Sequence, residues 1–174
     1  MRRLYILSIL LIMIMTLFLS CRDKSENSSP SKTPTLFEDR SEEYLKDGKL
    51  REKIEVISSR GGADGVTGTY YIIEPDGSWI SGSLLPPIGE KGDPEYRGKL
   101  TEEQITHLAK YLAFYNLDTL PDIGKTEVNP KEIKISFGKK VSRLISGKLS
   151  EKDRKIYDRY DGILETVQSI CNNN

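Results

Sequence analysis

A period-two apolar pattern, recurring on both sides of one strong helix, most limits what this chain can become. Residues 53–59 read "KIEVISS", with Ile54 and Val56 on one side, and residues 131–138 read "KEIKISFG", with Ile133, Ile135 and Phe137 on one face. Strict alternation is the signature of a half-buried strand. Residues 69–74, "TYYIIE", are rich in the β-branched and aromatic types that strands favour. The turn "PDG" at 75–77 joins them to a return strand at 78–85, "SWISGSLL". A second hairpin is expected at 131–146, turning at Gly138, Lys139 and Lys140.

Two helices complete the pattern. The segment after Leu100 opens with Thr101 and Gln104 at capping-box spacing, and Glu102 and Glu103 suit a helix N-terminus. Ile105, Leu108, Ala109 and Leu112 form its apolar stripe. Ser150, with Asp153 three residues on, caps a closing helix that reaches about Cys171 and buries Ile156, Tyr160, Ile163, Leu164, Val167 and Ile170. The expected fold is α+β: a two-layer domain of mainly antiparallel sheet covered by two helices, in the order β-β-β-α-β-β-α. A short helix ending at Gly48 is expected over residues 36–50, and an unpaired surface loop over 86–99.

The first 35 residues stand apart from this domain. Arg2 and Arg3 precede an uncharged run from Leu4 to Ser20 that ends at Cys21. The run suits a signal h-region and is marginal for a membrane span of ~20 residues. The Ser20-Cys21 junction resembles a bacterial lipoprotein lipobox, with Phe18 where leucine is usual. The resemblance implies a signal peptide at 1–20, a lipidated Cys21 carrying palmitate-like acyl chains, and a domain outside the cytoplasm. An uncleaved signal anchor gives the same address. Residues 21–35, polar and rich in Ser, Lys and Pro, are expected to be a disordered tether, and 36–174 the single domain. With Cys21 lipidated, Cys171 has no intrachain partner, so a disulfide framework is excluded.

Charge excludes one class of partner. Without Arg2 and Arg3 the chain holds 24 basic against 26 acidic residues, and no clustered basic face points to nucleic acid. Catalysis also lacks its components. His107 is the one histidine, there is no metal-binding His or Cys spacing, and no glycine-framed serine elbow accompanies it. No enzyme activity, cofactor or metal is expected.

The glycine-rich stretch "RGGADGVTG", residues 60–68, invites a phosphate-cradle reading. Such cradles need a helix N-terminus after them, and here a strand follows. Gly61, Gly62, Gly65 and Gly68 therefore read as a tight or bulged strand connection that uses positive φ and close approach.

The order of elements, with "SSRGGADG" leaving the first strand, "LTEEQ" opening the helix, "NLDTLP" after it and "EIKISFG" beyond, resembles the emfourin family. These are small bacterial protein inhibitors of thermolysin-like metallopeptidases. The resemblance spans about residues 53–170. It implies an inhibitor that occludes a metallopeptidase cleft with Gly61, Gly62, Ala63, Asp64 and Gly65. The signal, the tether and the long loop 86–99 depart from the family; that loop would enter the cleft beside 60–68 if both lie at one end of the sheet, and the domain is expected to be a monomer. The alternative from the residues themselves is an envelope-associated binding or structural lipoprotein, with Tyr70, Tyr71, Trp79 and Tyr96 as anchors where exposed. Tyr71 and Trp79 equally suit the hairpin core.

Overall fold

Alternating side chains divide the sheet into a helix-covered face and an open one. The computed structural model describes residues 39–124, 130–146 and 150–172. The expected signal peptide, Cys21, the tether, Leu36 and Phe37 lie outside the described residues. A single 3-10 turn, Ser41–Glu43, leads into a miniature hairpin of β1 (Leu45–Lys46) and β2 (Lys49–Leu50). The main sheet holds β3 (Ile54–Gly62), β4 (Gly65–Ile73), β5 (Ser78–Leu85), β6 (Glu90–Lys91), β7 (Tyr96–Lys99), β8 (Lys131–Phe137) and β9 (Lys140–Ser146). Helix α1 (Glu102–Phe114) and helix α2 (Glu151–Asn172) cover it. The strand order is β6-β5-β4-β3-β8-β9, all antiparallel, with β7 also on β5. The expected α+β two-layer fold is the one observed.

Both helix starts are held as their sequences require. Thr101 Oγ1 accepts from Gln104 N at 3.2 Å, and Thr101 N donates to Gln104 Oε1 at 2.8 Å. Ser150 and Asp153 repeat this exchange, at 3.1 and 3.2 Å. The core lies between sheet and helices. Ile54, Val56, Tyr71, Ile73, Trp79, Ile133, Ile135 and Leu144 face Leu108, Leu112, Tyr160, Ile163 and Val167, all buried. Gly162 lets α2 meet the Tyr115 ring, whose atoms lie 2.2–2.6 Å from where a Cβ would stand.

Three expectations need correction. Of the short helix over 36–50, the described residues keep only the 3-10 turn Ser41–Glu43, and β1 and β2 take the rest. Asp47 and Gly48 at their turn both take positive φ, +54° and +72°, which suits a two-residue hairpin turn. The connection over 60–68 is mostly strand, because β3 and β4 pair as far as Gly62↔Gly65, leaving only Ala63 and Asp64 as the turn. Gly61 and Gly62 are ordinary extended residues, and positive φ falls on Gly65 (+108°) and Gly68 (+157°). The loop expected at 86–99 contains β6 and β7, which pair with β5 on one edge and enclose a bulge at 92–95. That bulge folds over the open face. Tyr70, on this face, donates its hydroxyl to Gly92 O at 2.9 Å. Gly82 makes room, since a Cβ there would lie within 3.1 Å of the Tyr70 ring and of Asp93 O.

Candidate functional site

Two loops meet where β3 ends and β4 begins. The β3–β4 hairpin turns at Ala63-Asp64, and Gly62, Ala63 and Asp64 are exposed. Beside it the chain leaves β5 through Leu85, Pro86, Pro87, Ile88 and Gly89. Val66 N donates to Pro87 O at 2.9 Å, and Val66 pairs with Ile88 in a parallel bridge. Stretches 60–68 and 86–99 are thus in direct contact. That contact involves 86–89 rather than the whole second stretch.

Glycine makes this contact close. A Cβ at Gly65 would stand 2.4 Å from Pro87 O and 2.5 Å from Pro87 Cα, and Gly65 also holds a φ that side-chain-bearing residues rarely take. Across the contact, a Cβ at Gly89 would lie 2.7 Å from Val66 Cγ1. Gly68 has a similar role farther down the hairpin, where its bare backbone passes over the Ser58 carbonyl and Ser59 Cα. Gly65 and Gly68 therefore serve backbone packing, whereas a Cβ at Gly62 would meet nothing closer than 3.6 Å.

The resulting prow is apolar at its crest. Leu85 is 52 % and Ile88 70 % exposed, with Pro86 and Pro87 exposed between them. Exposed large aliphatics grouped on one projection are what a protein partner buries. Behind the crest, on the helix-facing side of the hairpin, Ser58, Arg60, Thr67, Thr69 and Lys131 line a shallow polar recess of about 380 Å³. Lys131 there donates to Tyr157 Oη at 3.3 Å. The prow thus offers an apolar crest and a hydroxyl- and cation-lined flank.

The other sequence candidates separate. Gly61 and Gly65 are half-buried in the hairpin, and Gly62, Ala63 and Asp64 form its free tip. Of the four aromatic anchors, Tyr70 (1 %), Tyr71 (8 %) and Trp79 (5 %) are buried, and only Tyr96, at 65 %, is exposed. His107 is exposed on α1 with its ring 4.7 Å from that of Tyr111. Cys171 is buried, and burial pushes its thiol up to about 12, which suits an inert thiol. Sequence reasoning includes Pro87 and Ile88 only within the whole of loop 86–99 and misses Leu85, although an apolar "LLPPI" run leading into a charged loop is the available signal.

Among the described residues no group of three or more His, Cys, Asp or Glu could hold a metal ion. No helix among them is long and apolar enough to cross a membrane. No protein-family model matches this chain, and no curated protein matches its sequence.

Proposed function

We propose that this chain is a membrane-anchored, extracytoplasmic lipoprotein whose domain binds another protein through the prow, and that it blocks a metallopeptidase by occlusion. The observation that carries the reading is the bond between Val66 N and Pro87 O, which joins two loops into one projection crested by Leu85 and Ile88. A rigid projection loses little conformational freedom on binding, so more of its contact energy becomes affinity. Ala63 and Asp64 at the tip would enter a cleft first, and Leu85 to Ile88 would seal against its wall. The domain acts by shape, as a monomer, with no cofactor and no chemistry of its own. Cys21 would hold it to the cell membrane or outer membrane, facing the periplasm or exterior.

The test is an inhibition titration. Residues 36–174 are assayed against a thermolysin-like metallopeptidase, with gel analysis for cleavage. Stoichiometric inhibition of the peptidase with the domain left intact supports the reading. Full peptidase activity at micromolar domain removes the inhibitor and leaves a binding protein of another kind.

One observation favours that second reading. Tyr96 is exposed at the sheet edge, and Ile57, Ile72 and Ile80 are half-buried on the face without helices. An envelope partner could lie across this face rather than on the prow.

A further inference from the structure

One row of side chains crosses four strands on the flank of the prow. Arg60 on β3 faces Thr67 on β4 and Lys131 on β8 in register. Nearer the core on the same face, Ser58 is opposite Thr69. Leu85 follows Leu84, the partner of Gly68, so strand alternation brings it out on the same face as Thr67. The row therefore runs Leu85, Thr67, Arg60, Lys131, with roughly 5 Å between neighbouring strands. Its last three members line the polar recess, together with Ser58 and Thr69.

This row is apolar at one end and cationic at the other. Arg60 is exposed and makes no hydrogen bond or ion pair with a described residue, and the side-chain hydroxyls of Ser58, Thr67 and Thr69 make none either. Lys131 is steered by Tyr157, whose hydroxyl takes one of its N–H groups at 3.3 Å and whose ring centroid lies 5.8 Å from Nζ. Like charges directly opposite each other weaken a strand pair, and none of the described residues lining the recess is acidic. An oxyanion between Arg60 and Lys131 turns that repulsion into charge-assisted hydrogen bonds.

A partner that covers the prow also covers this recess and strips water from Arg60. An uncharged surface would leave the guanidinium buried and unpaired, which is strongly unfavourable. A carboxylate fits, because the planar guanidinium fork can hold both of its oxygens while the Thr67 hydroxyl donates beside it. We propose that the recess seats an acidic side chain of the protein partner between Arg60 and Lys131, next to an apolar residue that covers Leu85. This rests on the prow being the docking surface, as proposed above. It adds the partner's chemistry: a carboxylate roughly 10 Å from an apolar side chain, the span of two strand spacings.

The test follows the amide signals of Arg60, Thr67 and Thr69 by NMR, on the full chain in detergent, as chloride is replaced by acetate at constant ionic strength. The recess gives saturable shifts at these residues, with affinity at least about fivefold weaker in Arg60→Gln and intermediate in Arg60→Lys. Shifts that do not saturate, or that are equal in wild type and Arg60→Gln, overturn it. Inorganic phosphate forms a second arm, and saturation by phosphate with no response to acetate overturns the carboxylate. An inhibition titration of the same Arg60→Gln chain separates this idea from the one it rests on. Inhibition equal to that of the wild type overturns the recess and leaves the prow. No inhibition by either chain removes the peptidase, and the acetate titration, which uses no partner, still decides the recess.

Discussion

Replacing Gly65 with alanine tests the construction of the prow more sharply than any crest substitution. Two costs can be worked from the geometry. A side-chain-bearing residue held at φ +108° stores about 1–3 kcal/mol of strain. The new Cβ would also fall 2.4 Å from Pro87 O and 2.5 Å from its Cα, so the two loops must separate. Separating them breaks the Val66–Pro87 hydrogen bond, a further ~1 kcal/mol. Together these give about 2–4 kcal/mol, or a Tm fall of about 10 °C for a domain of this size. Gly48→Ala is the matched control. Gly48 also has positive φ, +72°, but nothing lies within 4 Å of its would-be Cβ, so it should cost about 1–2 kcal/mol. Thermal melts by circular dichroism compare the two, and amide exchange at Val66 gives a local readout. Gly65→Ala should melt lower than Gly48→Ala and should alone accelerate Val66 exchange. Equal melting, with Val66 still protected, would refute the reasoning.

Other substitutions probe separate features of the account. Ile88→Asp should leave stability within about 0.5 kcal/mol, because the side chain is mostly exposed, while weakening partner binding at least tenfold by titration. Tyr44→Phe removes the hydroxyl that donates to Asp118 Oδ1 at 2.8 Å and should cost about 1–2 kcal/mol in urea unfolding. Cys171 should resist thiol reagents in the folded domain at pH 8 and label only on unfolding. Its thiol is held neutral by burial, at about 12 against an ordinary value near 9. The unfolded chain therefore loses this proton first, and stability should fall as pH rises from about 9 toward 12. Tyr160, raised to about 12 mainly by burial, adds to the fall from about 10 upward. Cys171→Ala should move the onset toward 10, as followed by pH-dependent melts.

Local chemistry is legible in the sequence, and long-range pairing much less so. Thr101 with Gln104 and Ser150 with Asp153 can be read directly because each cap is contained within four residues. The apolar alternation of Ile54 and Val56, and of Ile133 and Ile135, is equally plain because one face of each strand is buried against helices. Beyond Ile57 that signal fades, since Ser58 to Gly62 include no apolar side chain and glycine offers none to alternate. The far end of the hairpin therefore resembles a loop in sequence. Asp47-Gly48 suggests a helix stop, although the dipeptide favours a two-residue hairpin turn equally well. The strands β6 and β7 are hidden because their partner is β5 across a bulge, and no local pattern records that. Gly98 shows the same limit. It lies opposite Trp79, and its bare backbone lets the indole sit where a Cβ would be 2.7 Å from the ring. Only the register reveals why glycine stands there. The prow follows suit: its tip is expected from the sequence, while its apolar crest is visible only where Val66 and Pro87 meet.

The most direct test of the central claim is to titrate wild-type domain and Ile88→Asp side by side against a thermolysin-like metallopeptidase. The account requires stoichiometric inhibition by the wild type, and at least tenfold weaker inhibition by an Ile88→Asp domain of unchanged Tm. Equal inhibition by the two would show that the prow is not the binding surface. No inhibition by either at micromolar concentration would contradict the inhibitor itself.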